Sequence, residues 1–361
     1  MKTTLPNLQI LRFLAAAMVL LSHVQHEAAK MTFSNASYQP WEAIFLAGGV
    51  DIFFVISGFI MYLTAGAEFG REGATLDFLL RRLIRIAPPY WAFTVAMIAA
   101  TYLFAAHISH PLLDAGNVIS SFLFFPHDNA YGKPYPVLIL GWTLNYEFFF
   151  YVIFGMALML PRKSGVTLIF SVIGVLAVAG IGKVFQGQPW QFWSNPITLE
   201  FLFGICLAAV YRQGVRLSGL ACFLLLAGGF LAMVIFKQMG IVGGDWTWRF
   251  LWMGLPAVVI CAGGVLRHQD AEGGTVRKTL VFLGDASYAL YLSHPFSLNL
   301  IALLWKKFGL SAPYLYVACS CVFSMAVGAL VHVWMERPLT RYLNKKIMSP
   351  LYAKHFAPER T

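Results

Sequence analysis

Runs of about 20 apolar residues, each closed by a polar or basic cluster, recur along this chain of 361 residues. About 20 helical residues are what a bilayer crossing requires. The pattern predicts ten transmembrane helices, over about 8–25, 43–66, 88–107, 137–160, 164–184, 194–212, 217–236, 248–266, 280–304 and 312–334. Neither an internal repeat nor a low-complexity linker interrupts them. The first run has Lys2 and Arg12 in front of it. We read it as an uncleaved first span, because cleavage behind it would discard His23. The expected fold class is all-α: a polytopic membrane protein with one integral membrane domain over 1–342 and a short basic cytoplasmic tail over 343–361.

Composition sharpens this reading. The chain is 59% hydrophobic and 12% charged, against roughly a quarter charged in a soluble domain. Soluble fold classes drop out. A formal charge of +10 would suit a nucleic-acid partner, but the basic residues sit at the ends of the apolar runs, where they set membrane orientation. No nucleic-acid partner is expected. With the N-terminus in the cytoplasm, Lys30, Lys133, Lys183, Lys237, Arg249, Lys306 and Lys307 face outward, and the other 19 of the 26 lysines and arginines face inward. Both termini are therefore expected inside. Cys206, Cys222, Cys261, Cys319 and Cys321 lie within apolar runs. None forms a CxxC or has a histidine at ligand spacing, so they read as small core residues and no metal is expected.

Candidate chemistry comes from ionisable groups inside the spans, which are costly there and point to function or to pairing. Toward the outer side lie His23, Asp51, Glu147 and Glu200. Toward the cytoplasm lie Arg12, Arg81, Arg82, Arg85, Asp285, His332 and Glu336, with His294 near mid-depth. In "LQILRFLAAAMVLLSHVQHE" (8–27), Arg12 and His23 are eleven residues apart. That is three helical turns plus about 20°, so they share a face, separated by about 16 Å of rise. An anion binder at the inner surface and a base in the outer half would suit a long substrate with a charged head and a reactive tip. Acyl-coenzyme A has that shape. Snorkelling of Arg12 to lipid headgroups and helix capping by His23 are the competing structural roles.

"FLLRRLIRIAPPYW" (78–91) supplies a second basic site. Arg82 and Arg85 share a helix face, and the third span is expected to start at Pro88–Pro89. Arginine forks suit phosphate oxygens, and anionic lipid is the other partner they fit. "GGVDIFFVISGFIMYL" (48–63) carries Asp51 and a Ser57-Gly58 break. "GWTLNYEFFFY" (141–151) starts a span with Trp142 and puts Glu147 one to two turns inside. "FLGDASYALYLSHPF" (282–296) opens the ninth expected span with Asp285, sets Tyr288, Tyr291 and His294 along one side, and is expected to break at Pro295.

Together these pieces resemble the membrane acyltransferase family 3, enzymes that O-acylate exported and cell-surface polysaccharides. The matching motifs are Arg-x10-His (Arg12 to His23), "GVDIFFVISGF", "RRLIRIAPPYW", "WTLNYE", "LEFLFGI", "FLGDASYALYLSHP" and "ERP" (336–338), in family order from residue 8 to about 342. "GVDIFFVISGF" and "WTLNYE" look most like the exopolysaccharide-production branch. The resemblance implies a ten-span fold in a bacterial inner membrane, an acyl-coenzyme A donor, with acetyl-CoA expected, and a polysaccharide or lipid-linked oligosaccharide acceptor. It implies a catalytic role for His23 and donor binding by Arg82 and Arg85.

On this reading Arg12, Arg82, Arg85 and Ser57 bind the donor. His23 is the general base, with Glu147 or Asp51 as the carboxylate that orients it. Trp142, Glu200, Tyr288 and His294 line the substrate channel. Membrane lipid is a further partner, and a covalent acyl-histidine stays open as a variant. The rival classes are a proton-coupled transporter of a sugar or other small solute and a non-catalytic lipid or scaffold protein.

The charge split predicts that reporter fusions after Lys163 and after Lys346 both report cytoplasm. An extracytoplasmic signal from either fusion would overturn the N-in, C-in topology.

Overall fold

A computed structural model describes residues 5–31, 33, 38–40, 44–103, 113–239, 246–268 and 274–348. The chain is 80% helical with no sheet among the described residues, so the expected all-α class is what forms. The helices are α1 (Pro6–Lys30), α2 (Gly49–Ala65), α3 (Ala74–Leu103), α4 (Ala115–Phe122), α5 (Trp142–Ala157), α6 (Arg162–Ile181) and α7 (Trp190–Trp193). They continue as α8 (Leu199–Arg212), α9 (Gly219–Gln238), α10 (Leu255–Val265), α11 (Thr275–Asp285), α12 (Ser287–Lys307), α13 (Pro313–Val331) and α14 (Arg337–Leu343).

Eight helical stretches among the described residues are long and apolar enough to cross a membrane, against ten expected spans. The two that fall short are the sixth and the ninth, and each has a local cause. The sixth is α8, with 14 residues, about 21 Å at 1.5 Å per residue, well short of the roughly 30 Å hydrocarbon core. The ninth is divided at Ala286 into α11 and α12. Its longer piece, α12, carries Ser293, His294, Ser297 and Asn299 among its apolar residues, which lowers its hydropathy. Asp285 thus ends α11 rather than opening the span.

Three expected boundaries do not occur: α2 runs unbroken through Ser57 and Gly58, α3 starts well before Pro88–Pro89, and α12 continues past Pro295. Pro88 and Pro89 lie inside α3, and Pro295 lies inside α12. Each removes a backbone donor that its helix would normally use, but packed helices in a membrane tolerate that loss. In α3, Ala87, Pro89 and Tyr90 are all buried, and the Tyr90 ring is seated against Gly141. The helix therefore continues through the motif, and Arg82 and Arg85 belong to the spanning helix itself.

The chain forms two compact units, one from Met1–Leu63 with Glu200–Val333, the other from Thr64–Leu199 with Trp334–Thr361. In the first, α1 packs against α10, α11, α12 and α13, while α9 pairs with α10 and α12 with α13. Residues Ala16, Leu20 and Val24, four apart on α1, bury against Leu290 and Leu298 of α12. That stripe sets the register of the two helices. The start of α2 lies on the adjoining side of α1, with Gly49 against Ala15, Met18 and Val19. In the second unit, α3 packs on α5, α5 on α6, and α14 on α3. Residues 349–361 of the expected tail lie outside the described residues.

One backbone contact carries the first unit's second motif. A Cβ on Gly58 of α2 would overlap the Phe201 carbonyl of α8, and a Cβ on Gly204 would overlap the Val55 carbonyl and meet Phe59. The two glycines face each other's helix, so the backbones touch. Small residues at such crossings are what membrane helix packing uses, since lipid gives no hydrophobic drive to associate. Replacing either glycine by valine forces the helices apart. We expect both Gly58→Val and Gly204→Val to lose a monodisperse peak in detergent, with the Gly58→Ala variant milder. Wild-type behaviour of both valine variants in size exclusion and thermal unfolding would show that the crossing is not needed.

Candidate active site

The first unit gathers five of the expected residues around two polar centres. His23 sits near the C-terminal end of α1, half-buried. Its Nδ1 is 2.8 Å from Nε2 of His294 on α12. His294 is fully buried at 1% exposure, and its Nδ1 lies 3.2 Å from the Leu290 carbonyl one turn earlier. The two ring centroids are 5.0 Å apart with planes within 18°. A centroid separation so far beyond the nitrogen–nitrogen distance means the rings lie end to end, joined through an edge, rather than face to face. The Tyr291 ring flanks His294 at 6.1 Å, while Tyr288 of the same stripe is half-buried.

Asp51 is engaged elsewhere. The guanidinium of Arg249 grips it with both arms, Nε to Oδ1 at 3.0 Å and Nη2 to Oδ2 at 2.5 Å. Nη2 also donates to the Ala47 carbonyl at 2.9 Å, and the guanidinium lies 4.8 Å over the Trp246 ring. Glu200 is completely buried in the field of both Asp51 and Arg249, with Gly254 packed against its carboxyl. Of the two carboxylates expected to orient His23, Asp51 is thus hydrogen-bonded to Arg249, and the hydrogen-bond partner of the imidazole is His294. Ser57, about 1.7 turns on from Asp51 at about 100° per residue, is buried.

Arg12 is buried at 8% exposure and donates to the Gln9 side chain at 3.1 Å. Gly284, in "FLGDAS", is packed against the backbone of Gln9. That contact explains why a glycine stands there and brings the end of α11 to the N-terminal end of α1.

The second unit holds the other basic site. A cleft of about 560 Å³ is lined by Thr64, Glu68, Arg71, Asp77, Phe78, Arg81 and Arg82 among others, within the size range of small-molecule sites. Its arginines are not equivalent. Arg71 pairs with Glu68, and Arg81 pairs with Asp77 at 3.1 Å. The Arg82 contacts are weaker: Thr64 Oγ1 at 3.3 Å and the Phe78 ring at 5.5 Å. Among the described residues its buried Nε has no hydrogen-bond acceptor. Arg82 is therefore the cation with donor capacity to spare. Tyr151, Arg85 and Glu147 share its electrostatic surroundings. Glu147 itself accepts from the Tyr151 hydroxyl at 3.1 Å. Trp142 lies edge-on to Tyr146 at 6.0 Å.

The chain matches the acyltransferase domain family over residues 5–333. It belongs to the acyltransferase 3 family. This family 3 acyltransferase is 32% identical to the exopolysaccharide production protein ExoZ of Rhizobium meliloti over 301 residues, covering 82% of this chain and 90% of the relative. It is 29% identical to the O-acetyl transferase of Shigella phage Sf6 over 273 residues, 69% of this chain and 75% of that protein. A putative peptidoglycan O-acetyltransferase of Bacillus subtilis, YrhL, is 22% identical over 322 residues, 81% of this chain and 50% of that protein. No solved structure matches it. The acyltransferase is a multi-pass membrane enzyme of the O-acyltransferase class. Among its described residues no group of three or more histidine, cysteine, aspartate or glutamate side chains is placed to hold a metal ion.

Two features of the site escape sequence reasoning. One is Arg249, which the charge pattern counts only as an outer-side cation; its position directly before the apolar "FLWMGLP" is the signal that it turns inward. The other is the direct pairing of His23 with His294. The Asp51–Arg249 pair generates a stability prediction. Breaking a buried pair by removing one partner typically costs about 3–5 kcal/mol, whereas replacing both by apolar groups is often close to neutral. Arg249→Met should therefore destabilise the acyltransferase strongly, and Asp51→Leu with Arg249→Met should recover much of the loss in detergent unfolding. Equal stability of the single and double variants would show that the pair is not coupled.

Proposed function

We propose that the acyltransferase moves an acetyl group from acetyl-coenzyme A to a hydroxyl of an exported or cell-surface polysaccharide, or of its lipid-linked precursor, in the bacterial inner membrane. The family and the names of the relatives support an O-acyl transfer on a surface or exported polymer. The observation that carries the reading to a mechanism is His23, a titratable ring within the membrane-embedded helix α1 that is hydrogen-bonded through one nitrogen.

In this mechanism His23 is the general base. It takes the proton from the sugar hydroxyl as the oxygen attacks the thioester carbonyl. A carbon–oxygen ester bond forms, the carbon–sulfur bond breaks, and the proton held by His23 passes to the departing thiolate, which leaves as free coenzyme A. Arg12, on the same face of α1 and about 16 Å away by helical rise, is assigned to the donor's phosphates. Arg82 and Arg85 are assigned to phosphate binding as well, supported by the unmet donor capacity of Arg82 and by the fit of arginine forks to phosphate oxygens.

The test uses purified enzyme in lipid vesicles, with acetyl transfer and coenzyme A release both measured. A positioned general base contributes about 10²–10⁴-fold, so His23→Ala should lose that much transfer while still binding acetyl-coenzyme A. Arg82→Ala with Arg85→Ala should weaken donor binding while leaving the protein inserted. A His23→Ala enzyme that keeps most of its rate would place the base elsewhere. Net solute movement without coenzyme A release would make the protein a transporter.

A further inference from the structure

His294 makes two hydrogen bonds, and one of them has only one possible sense. The Leu290 carbonyl, 3.2 Å from Nδ1, can accept but not donate. The hydrogen therefore sits on Nδ1 of His294. A neutral imidazole carries a single ring hydrogen, so Nε2 of His294 is the nitrogen with the lone pair. Two lone pairs cannot face each other across the 2.8 Å that separates it from Nδ1 of His23. The hydrogen in that bond must come from His23. Its Nδ1 is the donor, and its other nitrogen, Nε2, is left with the lone pair. The neutral form is the one to use, because a buried imidazolium needs an anion. Among the described residues neither ring hydrogen-bonds a carboxylate.

We infer that His294 is a positioning residue for acyl transfer: through a chain running Leu290 carbonyl, His294, His23, it fixes His23 in the tautomer whose Nε2 is the free base. The inference rests on the reading of His23 as that base. It takes the place of the carboxylate that orients the histidine in Ser-His-Asp hydrolases, where the partner of Nδ1 sets tautomer and ring direction. The acyltransferase does the same with a neutral ring and a backbone dipole. That choice suits a membrane interior, where a second buried charge would be costly.

The sequence builds the chain from local parts. Leu20 and Val24 on α1 pack against Leu290 and Leu298 on α12, which brings the turn holding His23 to the turn holding His294. Pro295 has no N–H, so the Tyr291 carbonyl loses its helical donor and lies beside the His294 imidazole. Two carbonyl oxygens thus face the protonated edge of His294. When His23 accepts the hydroxyl proton on Nε2, its Nδ1–H bond to His294 becomes charge-assisted and stronger. Positive charge then spreads toward those carbonyls. In "YLSHPF", the proline is part of the device rather than a helix break.

Nitrogen NMR of ¹⁵N-histidine-labelled full-length protein in lipid vesicles reads the tautomer directly. Among the nine histidines, the signal lost in His23→Ala identifies His23. It should show a protonated Nδ1 and a bare Nε2. Removing the acceptor in His294→Leu should convert His23 to the Nε2–H form and lower kcat by about 10²-fold or more, with KM for acetyl-coenzyme A unchanged. His294→Gln, whose amide oxygen can again accept from Nδ1, should restore kcat to within about 10-fold of wild type. A His23 that is protonated on Nε2 in the wild-type protein overturns the inference, whether or not the variants fold. So does a His294→Gln enzyme no faster than His294→Leu at equal thermal stability. The rate of His23→Ala judges the base assignment separately, because the tautomer is observable in an enzyme whose base lies elsewhere.

Discussion

A polar side chain inside hydrocarbon has no water to fall back on, and this acyltransferase is organised around that constraint. Each ionisable group that the apolar runs carry inward must be met by another part of the protein. His23 is met by His294, and Asp51 by the two-armed grip of Arg249. Arg12 is met by Gln9, and Glu147 by Tyr151. The first two contacts join distant parts of the chain, while Arg12–Gln9 lies within α1 and Glu147–Tyr151 within α5. At the Nε of Arg82 no such partner is found among the described residues, and the proposed function gives that donor capacity to the acyl donor's phosphates.

Meeting such partners requires helices to approach closely, and the glycines make that possible. Gly58 and Gly204 let α2 and α8 touch through their backbones, Gly49 seats the start of α2 on α1, and Gly284 seats the end of α11 on Gln9. Each lies within one of the motifs that carry the family resemblance. The motifs therefore combine two kinds of residue: a polar group that does chemistry or pairing, and a small one that lets another helix come within reach. Without the second, the first would be left buried and unmet.

The site's legibility follows the same division. Arg12 and His23 share a face because helical periodicity is fixed by local geometry. Arg82 and Arg85 were readable as a basic pair for the same reason. The partner of His23 was not readable: it lies 271 residues away, and no spacing rule singles out one histidine on a distant helix. Asp51 raised the same difficulty. A carboxylate near a histidine invites a triad, yet Asp51 is claimed by an arginine 198 residues further on.

What the sequence by itself determined is whatever depends on short stretches: a membrane location, an all-helical architecture, the bias of positive charge and the order of the motifs. Hydropathy and periodicity are summed over about 20 residues and need no knowledge of neighbours. Only the tertiary structure decided the rest. It carried α3 through Pro88–Pro89 and α12 through Pro295, and it divided the ninth span at Ala286. It chose which charges pair. Through the Leu290 carbonyl and the packing of α1 on α12, it also sets which nitrogen of His23 is bare. The reason is physical: a proline, an acid or an imidazole has several acceptable local states, and the selection among them is made by the groups that packing brings to its edge.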